Sequence, residues 1–157
     1  MLVFPWQKIE LEGGRSLRRP VVPVIMVGER ASMQFPALID SGADVSVIRR
    51  EIADFLGINY ALSGSQFVMA GAVIGCAEAR CSFVLEARRK SERLDNVPVL
   101  VALDDVDFDV VLGCAGVFDA FRITFDQRKS IRMKRISELL VSERFNRFQL
   151  ARPSCRE

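Results

Sequence analysis

Apolar and polar residues alternate in short runs along most of this chain, which is the period of β-strands. Residues that favour turns separate these runs, and few stretches have helical spacing. Many short strands with few helices favour a small closed or sandwiched β fold. The runs predict strands at residues 21–27, 33–39, 44–48, 66–70, 77–87, 97–103, 110–113, 121–125 and 130–133.

The segments between these runs predict the connections. Ile9 and Leu11 alternate with charged residues before a turn at Gly13 and Gly14. Residues 71–75 contain two glycines and predict the turn of a hairpin, whereas residues 88–93 are predicted to form a charged loop.

Helical spacing occurs in three places. Residues 49–56 bring Ile52, Phe55 and Leu56 to one face, and Gly57 is placed to cap the helix at its C-terminus. A short helix is predicted at 117–121, and an amphipathic one at 136–148. The pattern divides the chain into a β domain and a helical extension with a basic tail, predicted over residues 1–134 and 135–157.

Composition narrows the class of protein. The chain has 157 residues, of which 50% are hydrophobic, and its net charge is +2, so it should fold as a globular protein. It contains no apolar run long enough to cross a bilayer and no signal-peptide pattern at residues 1–20, so we expect a cytoplasmic protein. Its four cysteines form no Cys-x-x-Cys pair and are expected to remain reduced thiols.

The chain has no histidine. This excludes Ser-His-Asp and Cys-His relays and any zinc site that needs an imidazole. General acid–base chemistry must therefore come from carboxylates, lysine, tyrosine or cysteine. Basic side chains outnumber acidic ones between residues 122 and 157, which suits either a solvated surface or contact with an anionic partner.

One segment, residues 37–48, combines a buried-looking strand with an ionisable residue at its end. Asp40 follows the strand, and a buried carboxylate is costly unless another group pairs with it or uses it. Ser41, Gly42 and Ala43 are small, so another backbone can approach closely. Such a loop suits two copies meeting across an axis, carboxylate beside carboxylate. The alternative interpretation is an ordinary turn between strands.

With a second element at residues 110–113, this segment resembles the retroviral-type (retropepsin-like) aspartic proteases. Residues 38–43 match the apolar-apolar-Asp-Ser/Thr-Gly-Ala signature of that family, and residues 111–113 match its apolar-apolar-Gly element. The resemblance covers roughly residues 20–134. It implies a mostly β, closed acid-protease barrel with one short helix and an extra C-terminal helix, and a homodimer with its active site on the two-fold axis.

The resemblance also implies the chemistry. Asp40 from each subunit would share one proton with its twin, activate a water and hydrolyse a peptide bond, with no metal and no organic cofactor. Ser41, Gly42 and Ala43 would support the loop. Substrate contacts are expected at Asp44, Ala70, Gly71, Ala72, Leu112 and Gly113.

A hairpin tip in such enzymes covers an extended peptide substrate. The tip is expected at residues 70–72, with residues 63–65 as the alternative. The chain departs from viral members at Cys114, where they often carry an arginine, and this leaves Asp44 without that partner.

Two other functions remain open from the sequence. A retropepsin-like dimer could bind peptide or a partner protein without cutting it. A small β-barrel could instead bind nucleic acid or another anion through its basic C-terminal third, although few aromatic residues lie there for base stacking.

Overall fold

The structure is a computed structural model that describes residues 1–69, 71–126 and 129–136. The described chain is mostly β, as predicted. It contains one α-helix, α1 (Arg50–Leu56), and one short helical turn, Cys114–Phe118. The strands are β1 (Leu2–Pro5), β2 (Gln7–Glu10), β3 (Ser16–Arg19), β4 (Val21–Val27), β5 (Ser32–Ile39), β6 (Ser46–Arg49), β7 (Tyr60–Met69), β8 (Ala72–Ala87), β9 (Lys90–Ala102), β10 (Val110–Leu112), β11 (Phe121–Asp126) and β12 (Ser130–Arg135).

Seven strands form the main sheet, in the order β4-β5-β10-β6-β9-β8-β7, and β4 also pairs with β8. Strand β10 lies between β5 and β6, parallel to the first and antiparallel to the second. Because Ile39 pairs with Leu112 in the parallel ladder, the residues that follow β5 and β10 leave the sheet at the same edge. The two motifs found in the sequence are therefore neighbours in space. A separate sheet has the order β1-β12-β11, and β2 and β3 form a hairpin.

Strand β4 shows how alternation builds the core. Val22, Val24 and Met26 are fully buried, while the residues between them are half-buried. Their buried sides join a core supplied by the main sheet, by α1 and by the β1-β12-β11 sheet. Burial of apolar side chains on alternate positions is what the sequence pattern predicted.

Helix α1 begins one residue later than predicted and ends as predicted. Gly57 has a left-handed backbone (φ 72°), and its N–H caps the last carbonyls of the helix. The helix predicted at 117–121 is displaced toward the N-terminus, since the helical turn is Cys114–Phe118 and β11 already begins at Phe121.

Several strand ends differ from the sequence prediction. The predicted loop at 88–93 is only a two-residue turn, with Arg88 at positive φ, and β9 starts at Lys90. The charged residues Lys90 and Arg93 are exposed, Glu92 is half-buried, and the ladder continues through them to Leu94, the first buried residue of the strand. Of the turn predicted at 71–75, residues 72–75 belong to β8, and the turn of that hairpin lies between Met69 and Ala72.

The predicted C-terminal helix, 136–148, lies outside the described residues except for Ile136. Of the extension predicted at 135–157, residues 137–157 likewise lie outside the described residues. Within the described ranges, no helix is both long enough and apolar enough to cross a membrane.

Two phenylalanines give a matched test of the core. Phe83 in β8 is fully buried, whereas Phe55 on α1 is 58% exposed. We expect Phe83→Ala to lower the free energy of unfolding by about 3–5 kcal/mol, because the substitution leaves a cavity. Phe55→Ala should cost less than about 1 kcal/mol, since little packing is lost at an exposed site. Urea denaturation of the two variants measures both values, and equal losses would contradict this description of the core.

The buried thiol of Cys81 makes the free energy of unfolding depend on pH in the alkaline range. Burial raises the pKa of its thiol from 9.0 to about 12. The unfolded chain therefore loses this proton before the folded chain does, and stability falls as the pH rises from 9 toward 12. The contribution is fully present below pH 9. We expect Cys81→Ala to flatten this alkaline loss in thermal or urea unfolding. An unchanged pH profile would contradict the assignment.

Candidate active site

The main chain holds Asp40 in a fixed position at the end of β5. Its N–H donates to the carbonyl of Leu112 at 3.0 Å, and its carbonyl accepts from Ala43 at 3.3 Å. The carboxylate is half-buried, and its Oδ1 accepts the N–H of Gly42 at 2.8 Å. A Cβ on Gly42 would lie 3.2 Å from Oδ1, so glycine allows this close approach. One oxygen is thus fixed by the backbone. Within the described residues, Oδ2 accepts no hydrogen bond.

Gly113 packs directly against the loop that carries Asp40. A Cβ at this position would lie 2.5 Å from the carbonyl group of Val45 and 2.8 Å from the carbonyl oxygen of Ala43. No side chain fits at these distances. The apolar-apolar-Gly element therefore needs its glycine for close backbone contact.

Three hydrogen bonds fasten residues 113–115 to the loop. The N–H groups of Cys114 and Ala115 donate to the carbonyls of Ala43 and Asp44, both at 2.8 Å. The N–H of Gly113 donates to Oγ of Ser46 at 3.0 Å, and Ser46 is fully buried. Sequence reasoning missed Ser46. The signal was a polar residue at a strand position flanked by apolar ones, but its partner is 67 residues away.

Leu112 and Gly113 were predicted to contact substrate. Both are buried, and the carbonyl of Leu112 is already bonded to Asp40. In the structure, Leu112 and Gly113 lie beneath Asp40 and support its loop. Their contact with substrate stays a prediction.

Cys114 lies among carboxylates beside the loop. Its thiol donates to the carbonyl of Ser41 at 3.5 Å. Burial, and then the negative charges of Asp44, Asp119 and Asp40, raise the pKa of this thiol. Cys114 is therefore a neutral donor at physiological pH. A neutral thiol cannot replace the positive charge of the arginine that viral retropepsin-like proteases often carry at this position.

The other loop residues face outward. Ser41, Gly42 and Asp44 are exposed, and Ala43 is half-buried. Among the ion pairs of the described residues, none includes Asp44. The loop thus presents small side chains and two carboxylates, Asp40 and Asp44, to solvent.

An apolar cluster extends from this loop toward the β7–β8 hairpin, and we call it the cleft cluster. It joins Ala43, next to the Asp40 loop, to residues of β6, β7, β8, β9, β10 and the β9–β10 connection. Its members are Ala43, Val47, Phe67, Ile74, Leu100, Ala102, Val106, Phe108 and Val111. Ala43, Val47 and Val111 lie in the two segments singled out from the sequence. The other members were not singled out, because a strand pattern does not show which of two buried faces borders a site.

The β7–β8 hairpin projects apolar side chains into solvent. Val68 and Val73 form a cross-strand pair and are 72% and 59% exposed. Gly71, at positive φ, and Ala72 are exposed at the tip, and Ala70 lies outside the described residues. Residues 63–65, the alternative tip, belong to β7 at a register shift. In the part of the chain that the structure describes, β7 and β8 pair as far as Met69 and Ala72, and Gly71 lies in the turn between them.

Comparison with known proteins gives a family match. A family model described as aspartyl protease matches residues 22–115, which is more than half of the chain. No curated protein matches the chain.

Solved structures with a similar fold include three proteases or protease-like domains. A retropepsin-like aspartic protease from Rickettsia conorii is 15% identical with a TM-score of 0.49, and the match covers 83% of this chain and 95% of that one. EIAV protease in complex with the inhibitor HBY-793 is 19% identical with a TM-score of 0.43, covering 67% and 88%. The retroviral protease-like domain of Ddi1 from Leishmania major is 13% identical with a TM-score of 0.43, covering 76% and 97%.

Ser46 offers a test of the loop support. We expect Ser46→Ala to lower the free energy of unfolding by about 1–3 kcal/mol, because the buried N–H of Gly113 loses its acceptor. Ser32→Ala, at the exposed start of β5, is the matched control and should have little effect. Chemical denaturation of both variants measures the difference. A Ser46→Ala protein as stable as the control would contradict the support role.

Proposed function

Because the chain belongs to the aspartyl protease family, we propose that it is an aspartic endopeptidase whose catalytic residue is Asp40. The matched range contains both motifs from which the resemblance was drawn, residues 38–43 and 111–113, so that resemblance is confirmed. The observation that carries the proposal is the position of the Asp40 carboxylate. It is fixed through Oδ1 by the N–H of Gly42 and lies at an edge of the sheet beside exposed small residues.

One carboxylate cannot act as both acid and base in the same step. We propose that two closed β domains, each formed by residues 1–134, associate as a homodimer and bring their Asp40 side chains together. Exposed Ser41 and Gly42 support this arrangement, because small side chains let a second copy of the loop approach. Ser41 would then bond across the axis.

Two adjacent carboxylates cannot both ionise cheaply, so the pair holds one proton. The ionised Asp40 accepts a proton from a bound water as that water attacks the peptide carbonyl. The protonated Asp40 donates a hydrogen bond to the carbonyl oxygen and later helps to protonate the leaving nitrogen. The reaction needs carboxylates and water, with no metal and no organic cofactor.

The substrate is proposed to be a peptide or protein segment in extended form. The β7–β8 hairpin, with its tip at residues 70–72, would act as the flap, and its exposed Val68 and Val73 support a role in covering an apolar ligand. The cleft cluster would form the floor for side chains. Backbone groups of Gly42, together with Asp44, would bind the peptide main chain. We propose a cytoplasmic location, where thiols such as the buried ones of Cys76 and Cys81 stay reduced.

The proposal predicts that Asp40→Asn abolishes peptidase activity. We expect kcat/KM on an unstructured protein or a peptide library to fall at least about 1,000-fold, because an amide cannot exchange the proton. Asp126→Asn, on β11 in the separate β1-β12-β11 sheet, is the matched control and should retain activity.

Sedimentation of the same samples reports whether the dimer is intact. Cleavage lost in Asp40→Asn with the dimer retained supports the proposal. Equal cleavage by wild type and Asp40→Asn, absence of cleavage by wild type from acidic to neutral pH, or a strictly monomeric wild type would contradict it.

A further inference from the structure

The connection between β9 and β10 must cross the end of β6. Strand β6 lies between these two strands, with Arg49 opposite Ala102 of β9 and Ile48 opposite Val110 of β10. Residues 103–109 therefore pass over the point where β6 ends. Irregular chain at such a crossing needs hydrogen-bond partners for its carbonyls.

Arg49, the last residue of β6, supplies these partners. Its guanidinium donates to the carbonyl of Phe108 at 3.2 Å and to that of Val106 at 2.5 Å. It also forms an ion pair with the carboxylate of Asp109, with 3.8 Å between Nη1 and Oδ1. The N–H of Arg49 donates to the carbonyl of Asp109 at 3.1 Å. A single half-buried side chain thus binds the crossing segment at three points, Val106, Phe108 and Asp109.

The start of the same segment is bonded to the β7–β8 hairpin. The N–H of Leu103 donates to the carbonyl of Gly75 at 2.9 Å, and the N–H of Gly75 donates to Oδ2 of Asp104 at 2.7 Å. Gly75 lies only three residues from Ala72, where β8 begins. Residues 103–109 are consequently held between the β7–β8 hairpin, near its tip, and the end of β6.

The segment carries part of the cleft cluster. Val106 is buried and belongs to the same cluster as Val47, Ile74 and Val111, and the half-buried Phe108 packs against that cluster. The two carbonyls that Arg49 binds are those of Val106 and Phe108 themselves. The guanidinium therefore binds the backbone of both residues whose side chains carry this segment into the cluster.

We propose that Arg49 is a positioning residue that sets the side-chain selectivity of the peptidase by holding residues 103–109 as one wall of the substrate cleft. This inference rests on the proposed function for its effect on catalysis. The planar fork of arginine reaches two carbonyls and a carboxylate at once. A lysine ammonium at the same position carries the charge but cannot reproduce that geometry.

The test compares Arg49→Met and Arg49→Lys with Arg50→Met. Arg50 is the adjacent residue in sequence, and it forms an exposed ion pair with Asp54 away from the segment. Cleavage would be measured on peptides that differ only in one side chain near the scissile bond, phenylalanine in one series and alanine in the other. For both Arg49 variants we expect KM on the phenylalanine peptide to rise at least about 10-fold, with kcat little changed. KM on the alanine peptide should change less than about 3-fold, and Arg50→Met should match wild type on both.

A purely structural role would produce a different result. Partial unfolding lowers the amount of active enzyme, so apparent kcat falls equally on both peptides while KM stays constant. That outcome, or full recovery of wild-type selectivity in Arg49→Lys, would overturn the inference.

Amide hydrogen exchange separates this inference from the proposed function. We expect faster exchange at residues 103–109 in Arg49→Met and no change there in Arg50→Met. If wild type cleaves no peptide, the proposed function fails, and the exchange result still decides whether Arg49 holds the wall. Unchanged exchange in Arg49→Met would contradict the positioning role whether or not the protein is a peptidase.

Discussion

The approach of Gly113 to the backbone of the Asp40 loop is the contact on which the site depends. With no side chain at residue 113, the chain leaving β10 lies against Ala43 and Val45, and N–H groups of residues 113–115 reach their acceptors. This contact holds the loop after β5 in register with β10. The carboxylate of Asp40 is then fixed by two neighbouring strand ends, and its position does not rely on other ionised side chains.

Few polar side chains take part in holding the Asp40 loop against residues 113–115. The loop is built mainly from backbone hydrogen bonds, with Ser46 supplying one buried hydroxyl. Cys114 adds a thiol among Asp40, Asp44 and Asp119. Because this thiol is neutral, it does not offset the negative charge of the three carboxylates.

Local patterns were sufficient for much of the fold. Alternation identified β4, and the apolar spacing with Gly57 identified α1 and its end. The motif around Asp40 identified the loop because its residues are adjacent in sequence. The start of β9 was missed because its turn, Arg88 and Arg89, contains none of the residues typical of turns. Ser46 and Arg49 were missed for another reason: their partners are more than fifty residues away, and only the folded sheet brings them together.

Strand β1 closes one edge of the β1-β12-β11 sheet, with Leu2 and Phe4 buried in the core. The first residues of the chain are thus an integral layer of the structure. Trimming them by an aminopeptidase, or displacing them with a fused affinity tag, would uncover the hydrogen-bonding groups of β12. An unprotected edge of this kind recruits strands from other molecules, so we expect recombinant forms with an altered N-terminus to self-associate through β12.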